Sequence, residues 1–122
     1  MSITPEQRLA NIEATVFGGP NVKSTPLTVL SADGRIGPGV FVITKATAAA
    51  LTLNAPVAGD DDGKTLRILS TTAEAHTVTA SANALNGNSS TALFGGAVGD
   101  CLNLMAFNGV WYVLPSTNVT LS

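Results

Sequence analysis

Two hydrophobic periods divide this chain. Near the N-terminus Leu9, Ile12 and Val16 recur at helical spacing, and Ala10, Ala14 and Phe17 widen the stripe. Thr4 suits the N-cap, Pro5 the first helical position, and Gln7 completes a Thr-x-x-Gln capping box. Gly18-Gly19-Pro20 then stops the run, so the pattern predicts a short helix over residues 5–17. Its apolar stripe has two uses open to it: packing on the protein's own body, or reaching a partner. Residues 18–39 are dense in Gly, Pro, Ser, Asn and Asp and read as an extended arm with turns, with room for one short strand at 27–30.

After Gly39 the helical period disappears and short β runs follow one another between turn signals. Strands are expected at 40–44, 50–53, 65–70, 76–80, 91–94, 101–107 and 110–114, with a last short one at 119–121. The chain therefore divides into a helix and Pro/Gly-rich arm (residues 1–38) and a β-domain (residues 39–122). The expected fold is mainly β, an antiparallel β-sandwich or barrel, with a jelly roll among the topologies left open.

The strongest local signal is Asn108-Gly109, a two-residue hairpin turn between apolar strands. That turn sets Ala106 opposite Trp111 and Leu104 opposite Val113. Leu102, Leu104, Ala106, Trp111 and Val113 then share one face. Cys101, Met105, Phe107, Val110, Tyr112 and Leu114 share the other, interrupted by Asn103. A sheet with one solvated face alternates apolar with polar; this hairpin is apolar on both. Val40 to Ile43 repeats the theme, with Val40 and Val42 on one face and Phe41 and Ile43 on the other. One side fills a core and the second needs another cover, which is how a subunit interface reads in sequence. Phe41, Met105, Phe107 and Tyr112 are the residues expected there.

Composition sharpens this picture. Of 122 residues only 11% are charged, against about 25% in ordinary soluble domains, while 45% are apolar and the net charge is -2. Disorder is excluded, because disordered chains are charge-rich and apolar-poor. Six Lys and Arg spread over the length make no basic stripe, which argues against nucleic acid as a partner. The charge-free stretch 101–122 is long enough to span a bilayer, yet Asn108-Gly109, Pro115 and several Asn, Ser and Thr break it into strand-length pieces. Neither a membrane span nor a secretion signal is expected, so the Asn88 and Asn118 glycosylation sequons carry little weight.

Candidate chemistry is thin, and no enzyme activity or cofactor is expected. His76 is the lone histidine and sits in a strand pattern, where a hydrogen-bonded structural role fits. Cys101, the lone cysteine, permits no internal disulfide and reads as a small buried hydrophobe. No nucleophile elbow, phosphate-binding loop, Cys-x-x-Cys pair or His-Glu-x-x-His helix occurs. Asp60-Asp61-Asp62-Gly63 is the one carboxylate cluster. Its oxygens suit Ca²⁺, but the alternate spacing and distant Glu of an EF-hand are missing and Asp-Gly is a routine turn.

Three runs carry a resemblance: VFVITKATAAALTLNAP, GDDDGKTLRILSTTAEAHTVTA and FGGAVGDCLNLMAFNGVWYVL, which together span most of residues 40–114. With their early apolar strand pair, Gly63-Lys64 turn, His76-Thr77-Val78-Thr79 strand, Gly99-Asp100 turn and closing Asn108-Gly109 and Trp111 hairpin, they resemble small virion structural proteins of tailed bacteriophages. The resemblance implies a head decoration (cement) protein or a head- or tail-fibre module, usually trimeric, with fold-determining rather than catalytic signature residues. It leads to the expectation of a capsid decoration protein made in the bacterial host cytoplasm. A homotrimer would bind the major capsid protein on the outside of a phage head and stabilise the shell. Ile3, Leu9, Ile12 and Phe17 would form the capsid-binding arm. The alternative expectation is a receptor- or carbohydrate-binding module of a head or tail fibre.

Overall fold

The computed structural model describes residues 26–122. Ten strands run in order: β1 (Leu27–Leu30), β2 (Gly34–Ile36), β3 (Gly39–Ile43), β4 (Ala50–Leu53), β5 (Thr65–Ser70), β6 (Thr77–Ala80), β7 (Thr91–Phe94), β8 (Cys101–Phe107), β9 (Val110–Thr117) and β10 (Val119–Leu121). They make two five-stranded sheets, ordered β1-β3-β5-β8-β9 and β10-β7-β6-β4-β2. Through β6 the chain alternates sheets, odd strands in the first and even strands in the second. Each of β3, β4, β5 and β6 pairs in parallel with the strand two before it. A parallel pair needs a long crossover, usually helical; here each crossover is a strand of the opposite sheet. The chain then reverses. β7 pairs antiparallel with β6, β8 with β5, β9 with β8 and β10 with β7.

The two-residue period of the strands puts one side chain in two between the sheets. In β5, Leu66, Ile68 and Ser70 are buried while Thr65, Arg67 and Leu69 are exposed. Leu102, Leu104, Ala106 and Trp111 of the first sheet meet Leu51, Leu53, Val78, Ala92 and Phe94 of the second in one core. Each large side chain buried there stabilises the fold by roughly 1.5–3 kcal/mol. The closing hairpin has the expected register, Ala106 opposite Trp111 and Leu104 opposite Val113. Asn108 and Gly109 both have positive φ (50° and 82°), as a type I′ turn requires. Beyond Asn103 the register slips, so that Cys101 faces Thr117. Pro115, which has no N–H for the ladder, lies at this irregularity, and the Ser116 hydroxyl accepts from the Asn103 N–H instead (2.9 Å).

The expectation of antiparallel pairing changes. The sheets are mixed, because four of the eight strand pairings are parallel. An antiparallel sandwich, barrel or jelly roll therefore gives way to a sandwich of two separate mixed sheets. Within the stretch read as an arm, β1 and β2 are ladder-paired members of the two sheets. β2 itself, Gly34-Arg35-Ile36, is too short and too Gly-flanked to announce itself. The helix expected over residues 5–17 and its residues Ile3, Leu9, Ile12 and Phe17 lie outside the described residues; among those described there is no helix.

Candidate functional site

The outward faces of the two sheets differ in chemistry. On the second sheet, register aligns Arg35, Thr52, Thr79 and Thr91 in one row and Ala50, Thr77, Leu93 and Thr120 in the next. Threonine suits a solvated strand, because its branched β-carbon fits the pleat while its hydroxyl meets water. On the first sheet the rows are Leu27, Val40, Arg67, Asn103 and Leu114, then Val29, Val42, Leu69, Cys101 and Thr117. Met105 and Tyr112 stand opposite each other beyond them, and Phe107 opposite Val110. Leu27, Val29, Leu69, Met105, Phe107 and Tyr112 are all exposed, Phe107 by 57%. These exposed apolar side chains lie on both sides of a polar strip formed by Arg67 and Asn103, and an outer face this apolar is a candidate for protein contact.

Met105, Phe107 and Tyr112 therefore share one exposed face. Phe41 does not join them. It aligns with Thr28 and Ile68 on the inward side of the sheet and packs, half-buried, against the core. Its neighbours Val40 and Val42 take the outward positions. Sequence alternation correctly separates the two pairs, but which pair faces out depends on the parallel neighbours β1 and β5. Arg67, the single charged residue of β5, is the residue that sequence reasoning passes over. Its Nε donates to Asn103 Oδ1 (2.9 Å), and Asn103 Nδ2 donates to the Pro115 carbonyl (2.9 Å).

The other chemical candidates are committed to the fold. The Ala49 N–H donates to Nδ1 of the fully buried His76 (2.9 Å), so the ring proton lies on Nε2 and is donated to Thr72 Oγ1 (2.9 Å). The ring meets Phe94 edge-on, with centroids 6.0 Å apart. Burial lowers the His76 pKa below its ordinary 6.5, reinforced by Lys45 and opposed by Glu74 and Asp100. The native ring is thus neutral where an unfolded one begins to take up a proton. Stability is full above the unfolded pKa and falls as pH drops through it, by up to about 1.4 kcal/mol per pH unit. We expect urea midpoints to be flat from pH 7.5 to 8.5 and to decline between pH 6.5 and 5.5; a midpoint unchanged over that acid range would refute the neutral clamp.

Asp100 is likewise a brace. Burial works to raise its pKa, but the N–H groups of Ala97, Gly96 and Gly95 and the Asn118 amide outweigh it and hold the carboxylate below 3.8. Its contribution to stability is lost only at more acidic pH than that of His76. Gly95 lies so close to the Asn118 amide that an added β-carbon would collide with it, so this corner admits no side chain. In the acidic loop, Asp61 accepts from the Val57 N–H (2.7 Å) and Lys64 Nζ (2.8 Å). Asp62 Oδ1 accepts from the N–H groups of Gly59 (3.1 Å) and Asn108 (2.8 Å). These carboxylates tie the β4–β5 connection to the closing turn. Cys101 is half-buried on the outward face rather than in the core.

Comparison with family models, curated proteins and solved structures finds no match to this chain.

Proposed function

We propose that this chain is a structural virion protein, a decoration protein that binds the outside of a phage head as a homotrimer and stabilises the shell. One observation carries the structural and oligomeric part of the reading: a β-body with one threonine-rich outer face and one apolar outer face. The first is suited to water and the second to a covering protein surface. The commitment of His76, Asp61, Asp62 and Asp100 to backbone bonds favours a scaffold over an enzyme. The virion setting rests on the sequence resemblance described above. Attachment would come from many modest contacts multiplied over three copies, each later contact forming at high effective concentration.

Electron microscopy of virions with and without the protein, together with its mass in solution, tests both parts. Loss of an outer-shell density and a three-subunit mass are expected; identical heads or a single-subunit mass would refute the reading. Within it, residues 1–20 are the capsid-binding arm. Deleting them is expected to abolish head binding in a sedimentation assay while leaving a folded trimer, and normal decoration by the truncated chain would remove the arm from the mechanism. The fibre-type carbohydrate-binding alternative is weakened by Trp111. At 2% exposure its ring is in the core and cannot stack on a sugar.

A further inference from the structure

The apolar outer face of the first sheet carries both a projection and a hollow. The projection is Phe107, at the turn end of β8. The hollow is a groove of about 450 Å³ bordered by Val40, Thr65, Arg67, Asn103, Leu114 and Pro115. Phe107 and Asn103 are four residues apart along β8, about 13 Å at 3.3 Å per residue, so the ring does not fill the groove of its own chain. Within the groove, the bond from Arg67 Nε to Asn103, itself anchored on the Pro115 carbonyl, fixes the rotation of the guanidinium and leaves its flat face for stacking.

We propose that a second copy of this chain occupies the groove, with the Phe107 ring of one copy stacked on the Arg67 guanidinium of the next. This rests on the reading of the face as a subunit interface and specifies its contact. Both halves of the contact lie on one chain and are displaced from each other, so a copy supplies each missing half. Repeated head to tail with a rotation that closes, this contact builds the ring that the proposed trimer requires, whereas a reciprocal exchange between two copies would build a dimer, and the solution mass separates the two. The size is suitable. Five strands about 4.8 Å apart, at about 3.3 Å per residue, give a flat area on the order of 450 Å². Side-chain relief raises the accessible area toward the roughly 800 Å² per partner of a standard interface. An arginine over an aromatic face is favourable and gains strength when water is excluded. The contact also gives a partner to Arg67, the one cation among the described residues on this outer face.

The test is a double-mutant cycle on the full chain, read by sedimentation equilibrium with circular dichroism to verify folding. Phe107→Ala and Arg67→Ala are each expected to weaken association at least tenfold. The double variant should be little weaker than the worse single one, because both remove the same contact. Strictly multiplicative effects, or association unchanged in either single variant, would overturn the pairing while leaving the interface reading intact. A wild-type chain that stays monomeric at millimolar concentration would overturn both. As a second readout, benzoylphenylalanine replacing Phe107 should photo-crosslink to peptides containing Val40 or Leu114 of another copy. Crosslinks mapping only elsewhere count against the contact.

Discussion

On the subunit interface proposed above, replacing Met105 and Tyr112 together by glutamate is expected to yield folded monomers. The two side chains face each other across β8 and β9 on the outward side of the first sheet, 40% and 43% exposed in the single chain. Charges there remain hydrated in the lone subunit, where surface changes move stability by only about 0.5 kcal/mol. In an assembly that covers this face they would be desolvated without partners, at a cost of several kcal/mol per charge, repeated in every subunit. The mass from light scattering should fall to that of one chain while the far-ultraviolet circular dichroism spectrum is unchanged. An unchanged mass would show that this face is not where subunits meet. Phe41→Ala provides the contrast. Because Phe41 packs inward on the core, its loss should lower the folding stability and leave the subunit count alone.

Trp111→Ala should be the most damaging single change to the fold, costing roughly 3–5 kcal/mol of a total that in domains this size is about 5–15 kcal/mol. The indole is 2% exposed within the common core, and its Nε1 donates to the Asn54 carbonyl (2.9 Å), which binds β9 to the segment after β4. Its backbone N–H donates to Ala84 (2.7 Å) and its carbonyl accepts from Asn86 (2.9 Å), which holds the 81–90 connection on the sheet. Trp111→Phe keeps most of the packing and loses the side-chain hydrogen bond, so about 1–2 kcal/mol is expected. Denaturant unfolding of the two variants separates these contributions. A loss under 1 kcal/mol for Trp111→Ala would contradict the central position assigned to the ring.

The contrast between hairpin and rungs explains what could be read from sequence. Asn108-Gly109 fixes a local turn, and a local turn fixes register, so the partners and faces of β8 and β9 follow from neighbouring residues alone. The outward set Met105, Phe107 and Tyr112 was legible for that reason. The parallel half was not. Val40 pairs with Leu27 on one side and Arg67 on the other, and no turn residue announces a partner so far along the chain. Alternation separates Phe41 and Ile43 from Val40 and Val42, but only the parallel neighbours decide which pair is covered. That is why the sequence alone points to Phe41 as outward and passes over Val40, Val42 and Leu69. Arg67 was missed for a different reason: one exposed cation in a strand is ordinary, and it stands out only beside an apolar surface and an anchored asparagine.

The alternation of the first six strands between sheets has a bearing on how the molecule comes apart. In a sandwich built from consecutive hairpins, one sheet can persist while the other frays. Here β1, β3 and β5 cannot lie side by side unless β2 and β4, the only covalent links between them, have already crossed to the opposite layer. Neither layer exists as a separable unit, and the core between them forms in the same step as the ladders. The body is wound like thread on a flat card, each turn held down by the next. Loss of one turn should loosen both sides at once, so unfolding of residues 27–80 is expected as a single cooperative event, with coincident denaturant transitions by different probes.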